Sequence, residues 1–312
     1  GRIVLIVNGG AGGGVGMDLA TTGSWPFQTR VGERFLTVSL QPMIKDEPSI
    51  PAAFAHGFGH QMGMVDLYAY PNVNFPRPFA AGWDNMALPL TGVHPTVWSK
   101  QLASWVTKLG ANIIFVPRPA RGTTFNQVEI PLVAQTDARP GKNVAIALGL
   151  TPGVWSFNDE TAFYFVEART KLGSDIAIPG EGVLMYYVNT QIPQGQGPVI
   201  VRDHNFSTQG LEDAILQVGD KESPAGTGIE VLYSKKTIDP AGNKHLIDLN
   251  YTPPAEGYDV SIATGDPAWT SPDIWVDNQS DGYDLERGRI PQDRGDVAIG
   301  NEENRVYARI TN

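Results

Sequence analysis

Two histidines four residues apart, a glycine three after the second and an aspartate three beyond that constrain this chain more than any other feature; they are His56, His60, Gly63 and Asp66. Ser49 and Pro51 supply an N-cap and a first-turn proline, so the spacing predicts a helix over residues 50–62. On that helix His56 and His60 share one face, a turn apart. Gly63 permits the left-handed residue that ends the helix and turns the chain back, bringing Asp66 toward the two imidazoles. Two neutral imidazoles and a carboxylate form a ligand set for zinc, with a fourth position left for water.

Directly after the first histidine stands Gly57. Hydrolysis at such a metal needs a positioned base that takes a proton from the bound water and returns it to the leaving group. Gly57 has no side chain to do either. Inside a helix it also costs about 1 kcal/mol relative to alanine.

The 312 residues include 35 Gly and 24 Pro, a composition that predicts mostly strands and turns around the one helical region. A second helical pattern runs from Thr96 to Lys108, with Val97, Leu102, Trp105 and Val106 at helical spacing. Strand patterns fall at Arg2–Asn8, Phe35–Leu40, Ile113–Val116, Gln127–Val133, Asn143–Leu148, Ala162–Glu167, Gly182–Val188 and Ile229–Tyr233. From residue 111 their spacing is that of a sandwich.

Net charge is −10, and residues 1–110 hold seven Lys/Arg against six Asp/Glu, so nothing neutralises phosphates in bulk and nucleic acid is not expected as a partner. No apolar run reaches membrane-spanning length, so membrane insertion by this segment is not expected. Zero cysteines exclude disulfides and thiolate chemistry and agree with an exported microbial protein. The chain starts on a strand pattern with no initiator Met, which leads to the expectation that something upstream has been removed. The glycine cluster Gly9–Gly16 lacks the Gly-Lys-Ser/Thr of a phosphate loop.

The quoted residues match a known pattern. Phe54 to Tyr68 resembles the motif His-Glu-Phe-Gly-His-x-x-Gly-x-x-Asp-Leu-Tyr of the immune inhibitor A family of secreted bacterial metallopeptidases. Ile3–Gly13 is similar to that family's strand and glycine loop, and Gly82-Trp83-Asp84-Asn85-Met86 to its Trp-Asp-Leu-Met stretch. Gly92, Pro95 and Lys100 fit its following helix. Tyr164–Arg169 and Asp175–Val188 resemble its sandwich. Pro272–Asp277 and Glu303–Arg309 resemble the start of an immunoglobulin-like module.

The resemblance implies an α+β fold: a partial zincin- or metzincin-like domain over residues 1–110, an antiparallel β-sandwich over 111–265 and a partial immunoglobulin-like module over 266–312. It implies zinc on His56, His60 and Asp66, with Met86 beneath the metal and Gly63 at the turn. Two departures stand out: Gly57 replaces the catalytic glutamate, and Ala69 replaces the acid that commonly follows Asp-Leu-Tyr.

The expected function is that of a secreted, catalytically degenerate peptidase homologue, structural or binding, at the cell surface or in an extracellular assembly. Its partners would be proteins or further copies of itself, and unpaired strands near both ends would favour a filament. The competing expectation is an active zinc endopeptidase that uses a different base. Acids between Asp266 and Asp296 offer oxygens to Ca²⁺ without EF-hand order, so calcium is a secondary expectation. Arg294-Gly295-Asp296 reads as a solvated turn, the sequons at Asn205, Asn250 and Asn278 as chance matches, Glu167 and Arg169 as an ion pair, and His94, His204 and His245 as ordinary turn or surface histidines.

Overall fold

The computed structural model describes residues 27–31, 34–38, 50–70, 79–89, 91–204, 210–238, 243–254, 274–277 and 305–308. The Arg2–Asn8 strand, the glycine cluster, Ser49, Asn205, Asn278 and the Arg294 tripeptide lie outside them, as does most of the acidic stretch 266–296.

Strands β1 (Phe27–Val31) and β2 (Arg34–Val38) pair antiparallel. Three helices follow: α1 (Ile50–Gln61), α2 (Val97–Leu102) and α3 (Trp105–Leu109). The strands β3 (Asn112–Val116), β4 (Phe125–Leu132), β5 (Asn143–Gly149), β6 (Ala162–Arg169), β7 (Gly182–Asn189) and β8 (Val199–Val201) come next. After them run β9 (Lys221–Glu222), β10 (Ile229–Thr237) and β11 (Lys244–Tyr251). Finally β12 (Ile274–Asp277) pairs antiparallel with β13 (Arg305–Ala308). The described residues are thus α+β, with strands predominating.

Two sheets carry the core, one ordered β3-β5-β6-β7-β8 and the other β4-β11-β10-β9. Alternation along each strand decides which face a side chain joins. Val166, Val183 and Met185 of the five-stranded sheet meet Ile130, Val231, Ile247 and Leu249 of the four-stranded one. From the opposite face Phe163, Phe165, Leu184 and Tyr186 meet Met64, Trp83, Met86 and Val97. Because both faces of the five-stranded sheet are covered, β5 reads as the continuous run Val-Ala-Ile-Ala-Leu. The hydrophobic cluster runs without a break across residue 110.

One expectation for the sandwich is corrected: it is not wholly antiparallel, since β3 and β5 run parallel. The chain leaves the five-stranded sheet after β3, crosses to the other sheet as β4 and returns as β5 in the original direction. The helical pattern over Thr96–Lys108 is also broken in two. Thr96 caps α2 by accepting from Ser99 N, but Ser104 adopts φ 59° and separates α2 from α3. This break lets Val106 enter the core while Leu102 stays 40% exposed.

Buried polar groups tie the helical layer to the sheet. Arg169 Nη1 lies 3.1 Å from Glu167 Oε1, the ion pair the sequence predicts, and Nη2 lies 3.0 Å from Asp175 Oδ1. Arg169 also donates to the backbone oxygens of Trp83 (2.9 Å) and His94 (3.3 Å). Glu167 Oε2 accepts from Val97 N and from Tyr186 Oη, both at 2.7 Å. Asp84 Oδ2 accepts from Thr96 N (2.7 Å) and Ser99 Oγ (2.9 Å). Together these bonds pin residues 83–99 against β6 and β7. That segment forms the floor of the site described next.

Candidate metal centre

Helix α1 delivers His56 and His60 on one face, and Gly63, at φ +95°, reverses the chain. Met64 N then bonds Gly59 O at 3.0 Å, and the return carries Asp66 back beneath the imidazoles. His56 Nε2 lies 3.2 Å from Asp66 Oδ1, His60 Nε2 lies 3.1 Å from the same oxygen, and the two Nε2 atoms are 3.1 Å apart. His56 and Asp66 are each 3% exposed.

The tautomers follow from the other ring nitrogens. His56 Nδ1 donates to Asn85 O and His60 Nδ1 donates to Met64 O, both at 3.1 Å. A carbonyl oxygen can only accept, so the Nδ1 atoms carry the protons and each neutral ring presents a lone pair at Nε2. Two lone pairs and a carboxylate oxygen therefore face one another, and Asp66 Oδ1 is buried with no hydrogen-bond partner. Such a triangle of acceptors needs a cation at its centre, either a proton on one imidazole or a metal ion. The group His56, His60 and Asp66 can hold a metal ion, and the Nδ1-to-carbonyl bonds are the outer support that metal-bound histidines use.

Burial works against charge on Asp66, but contacts from His56, His60 and Tyr70 overcome it and hold the carboxyl well below the usual carboxylate range. Burial likewise opposes charge on His60, and the Asp66 carboxylate outweighs it, raising the imidazole pKa. Tyr70 Oη donates to Asp66 Oδ2 at 2.7 Å. Burial and the Asp66 charge push the Tyr68 and Tyr70 phenols well above their ordinary value, so both are protonated donors at neutral pH.

The floor and one wall are specific. Met86 is fully buried, and its Sδ lies so close to Gly59 that a Cβ there would come within 2.7 Å of it. Met86 thus packs under α1. The wall is the turn after β7. Gly195, at φ +75°, lies flat on the Tyr70 ring, where an added Cβ would stand 2.3 Å from a ring carbon. Tyr70 N bonds Gly195 O at 3.0 Å, and Gly195 N approaches Asp66 O at 3.4 Å. Gly57 is buried and contributes backbone alone.

No family model, curated protein or solved structure matches this chain. What the site can do therefore rests on its own residues.

The structure brings His56, His60 and Asp66 together, as their spacing predicts; Tyr70, the Asn85 carbonyl and Gly195 are not foreseen in the sequence. A tyrosine four residues after Asp66 is a readable signal, whereas a partner 125 residues downstream of Tyr70 is not. His245 is a correction: it is fully buried on β11, its Nδ1 is 2.7 Å from Tyr233 Oη, and it is no surface residue. His204 is partly buried beside Asp220 and Glu222, each 3.4 Å away.

Proposed function

We propose that this chain is a secreted, zinc-holding relative of the immune inhibitor A-like metallopeptidases that has lost hydrolysis and serves as a structural or binding protein. The observation that carries the reading is the triangle of His56 Nε2, His60 Nε2 and Asp66 Oδ1 beside a residue without a side chain.

The donors fit zinc. Tetrahedral bonds of about 2.0–2.1 Å place neighbouring ligand atoms roughly 3.3 Å apart, and the three edges here are 3.1, 3.1 and 3.2 Å. When bound, zinc would polarise a carbonyl and acidify water. His56, His60 and Asp66 would hold it, Asn85 O and Met64 O would fix the imidazoles, and Tyr70 would fix the carboxylate.

A hydrolase further needs a group that accepts a proton beside the metal. Gly57 supplies none, and the nearby phenols of Tyr68 and Tyr70 keep their own protons at neutral pH. Loss of a positioned base costs about 10² to 10⁴ in rate. The zincin-like ancestry of the helical layer, the secreted location and the protein partners belong to this same reading. Strand addition is the form of assembly we infer. Among the described residues β12 and β13 pair only with each other, and a lone two-stranded ladder is marginally stable at best in water.

The test is cleavage of denatured casein by zinc-loaded protein, with and without Gly57→Glu. The reading expects no cleavage above background for the natural chain and measurable cleavage for the variant. Turnover by the natural chain that disappears with a chelator and with His60→Ala would instead establish an active endopeptidase.

A further inference from the structure

The end of the sandwich where β3, β5 and β11 finish holds a cleft that the metal centre does not use. Three segments enclose it: residues 118–121 after β3, residues 152–155 after β5, and the Pro253-Pro254 pair after β11. Its volume is about 160 Å³, room for one six-membered ring with its substituents.

Its lining is unusual for this protein. Arg118 and Arg121 both border the cleft, in a chain whose net charge is −10. Elsewhere Arg169 and Arg202 are buried and ion-paired. Among the described residues neither cleft arginine has an acidic partner. Arg118 Nη1 donates to Leu150 O at 3.1 Å, which anchors its guanidinium while leaving other donors available. Glu160, an acid at the same end, is engaged with Thr151 Oγ1, Thr161 N and Ala162 N.

Trp155 also lines the cleft; at 68% it is the most exposed aromatic ring among the described residues' large apolar side chains. Four of the lining residues are prolines, at 119, 152, 253 and 254. Prolines offer no N–H, so a peptide backbone would find few donors on these walls. Recognition falls to two guanidiniums, which fork onto a carboxylate, and to an indole face, which is electron-rich and packs against polarised C–H groups.

We infer that this cleft binds an acidic sugar, a hexuronate ring of a polysaccharide, with its carboxylate on Arg118 and Arg121 and its C–H face on Trp155. The rigid prolines hold the site in its bound shape, which lowers the ordering cost of binding. The site is separate from the metal centre and does not depend on the state of the zinc ligands.

Tryptophan fluorescence of the full chain, titrated with trigalacturonate, tests this. Binding should be saturable, weaken with salt, persist in a chelator and lose its fluorescence signal in Trp155→Phe. Arg121→Gln, at an exposed position where folding is not at stake, should weaken binding about tenfold. Neutral galactotriose should not bind. No saturable binding, equal binding of galactotriose, or equal affinity in Arg121→Gln would overturn the inference. So would tighter binding of pentaglutamate, which would make this a peptide site, or full competition by inorganic phosphate at matched concentration, which would make it a simple anion site.

Discussion

Tyr70→Phe isolates the support of Asp66, the proposed metal ligand, from the ligand itself. The substitution removes one oxygen, the donor 2.7 Å from Asp66 Oδ2, and keeps the ring that Gly195 covers. Two effects then oppose each other. Without that donor the carboxylate becomes more basic, which favours any cation. It also loses one of the contacts that hold Oδ1 facing the two Nε2 atoms. Outer partners of this kind typically account for 10- to 100-fold in metal affinity, so orientation outweighs basicity. The expected change is a zinc dissociation constant raised about 10- to 100-fold, equivalent to about 1.4–2.7 kcal/mol. Competition against a chromophoric chelator at pH 7.5 reads it directly, with the melting temperature of the metal-free variant as the control for folding. Unchanged or tighter binding, with folding intact, would refute the assignment of Tyr70 as a positioning residue.

Three further outcomes follow from the same structure. Gly195→Ala places a methyl group against the Tyr70 ring at a left-handed backbone position and should weaken metal binding in the same chelator assay. Arg169→Met leaves Glu167 and Asp175 buried with their shared cation gone, and chemical denaturation should show a loss of about 3–5 kcal/mol. Burial, reinforced by Lys236 and opposed by Glu181, pushes the His245 imidazole down to about 4. The unfolded chain takes up this proton below about pH 6.5 and the folded chain only near pH 4, so stability should fall by about 3 kcal/mol as pH drops across that window. His245→Leu should show a flatter urea-midpoint profile over the same range.

The sequence carried the helix of the metal site because cap, first-turn proline, histidine spacing and terminal glycine all point the same way, and α1 ends within one residue of its predicted limit. Strands with a strong apolar run, such as β5 and β7, were equally legible. What failed has physical reasons. The parallel β3–β5 pair depends on where β4 goes, a long-range choice invisible in local periodicity. The break at Ser104 is imposed by the sheet that Val106 packs against, and tertiary contact overrides helical spacing there. His245 was readable: Lys-His-Leu-Ile-Asp-Leu-Asn-Tyr alternates as a half-buried strand with the histidine in phase with Ile247 and Leu249. At the candidate site, His56, His60 and Asp66 lie within ten residues of one another and were plain, while the support from Gly195 arrives through the fold.

Elemental analysis of the purified chain, with X-ray absorption at the zinc edge, decides whether His56, His60 and Asp66 hold zinc. One zinc per chain is expected, coordinated by two imidazole nitrogens and oxygen donors and lost in each of His56→Ala, His60→Ala and Asp66→Ala. A protein that takes up no zinc at neutral pH, or whose zinc remains in all three variants, would contradict it.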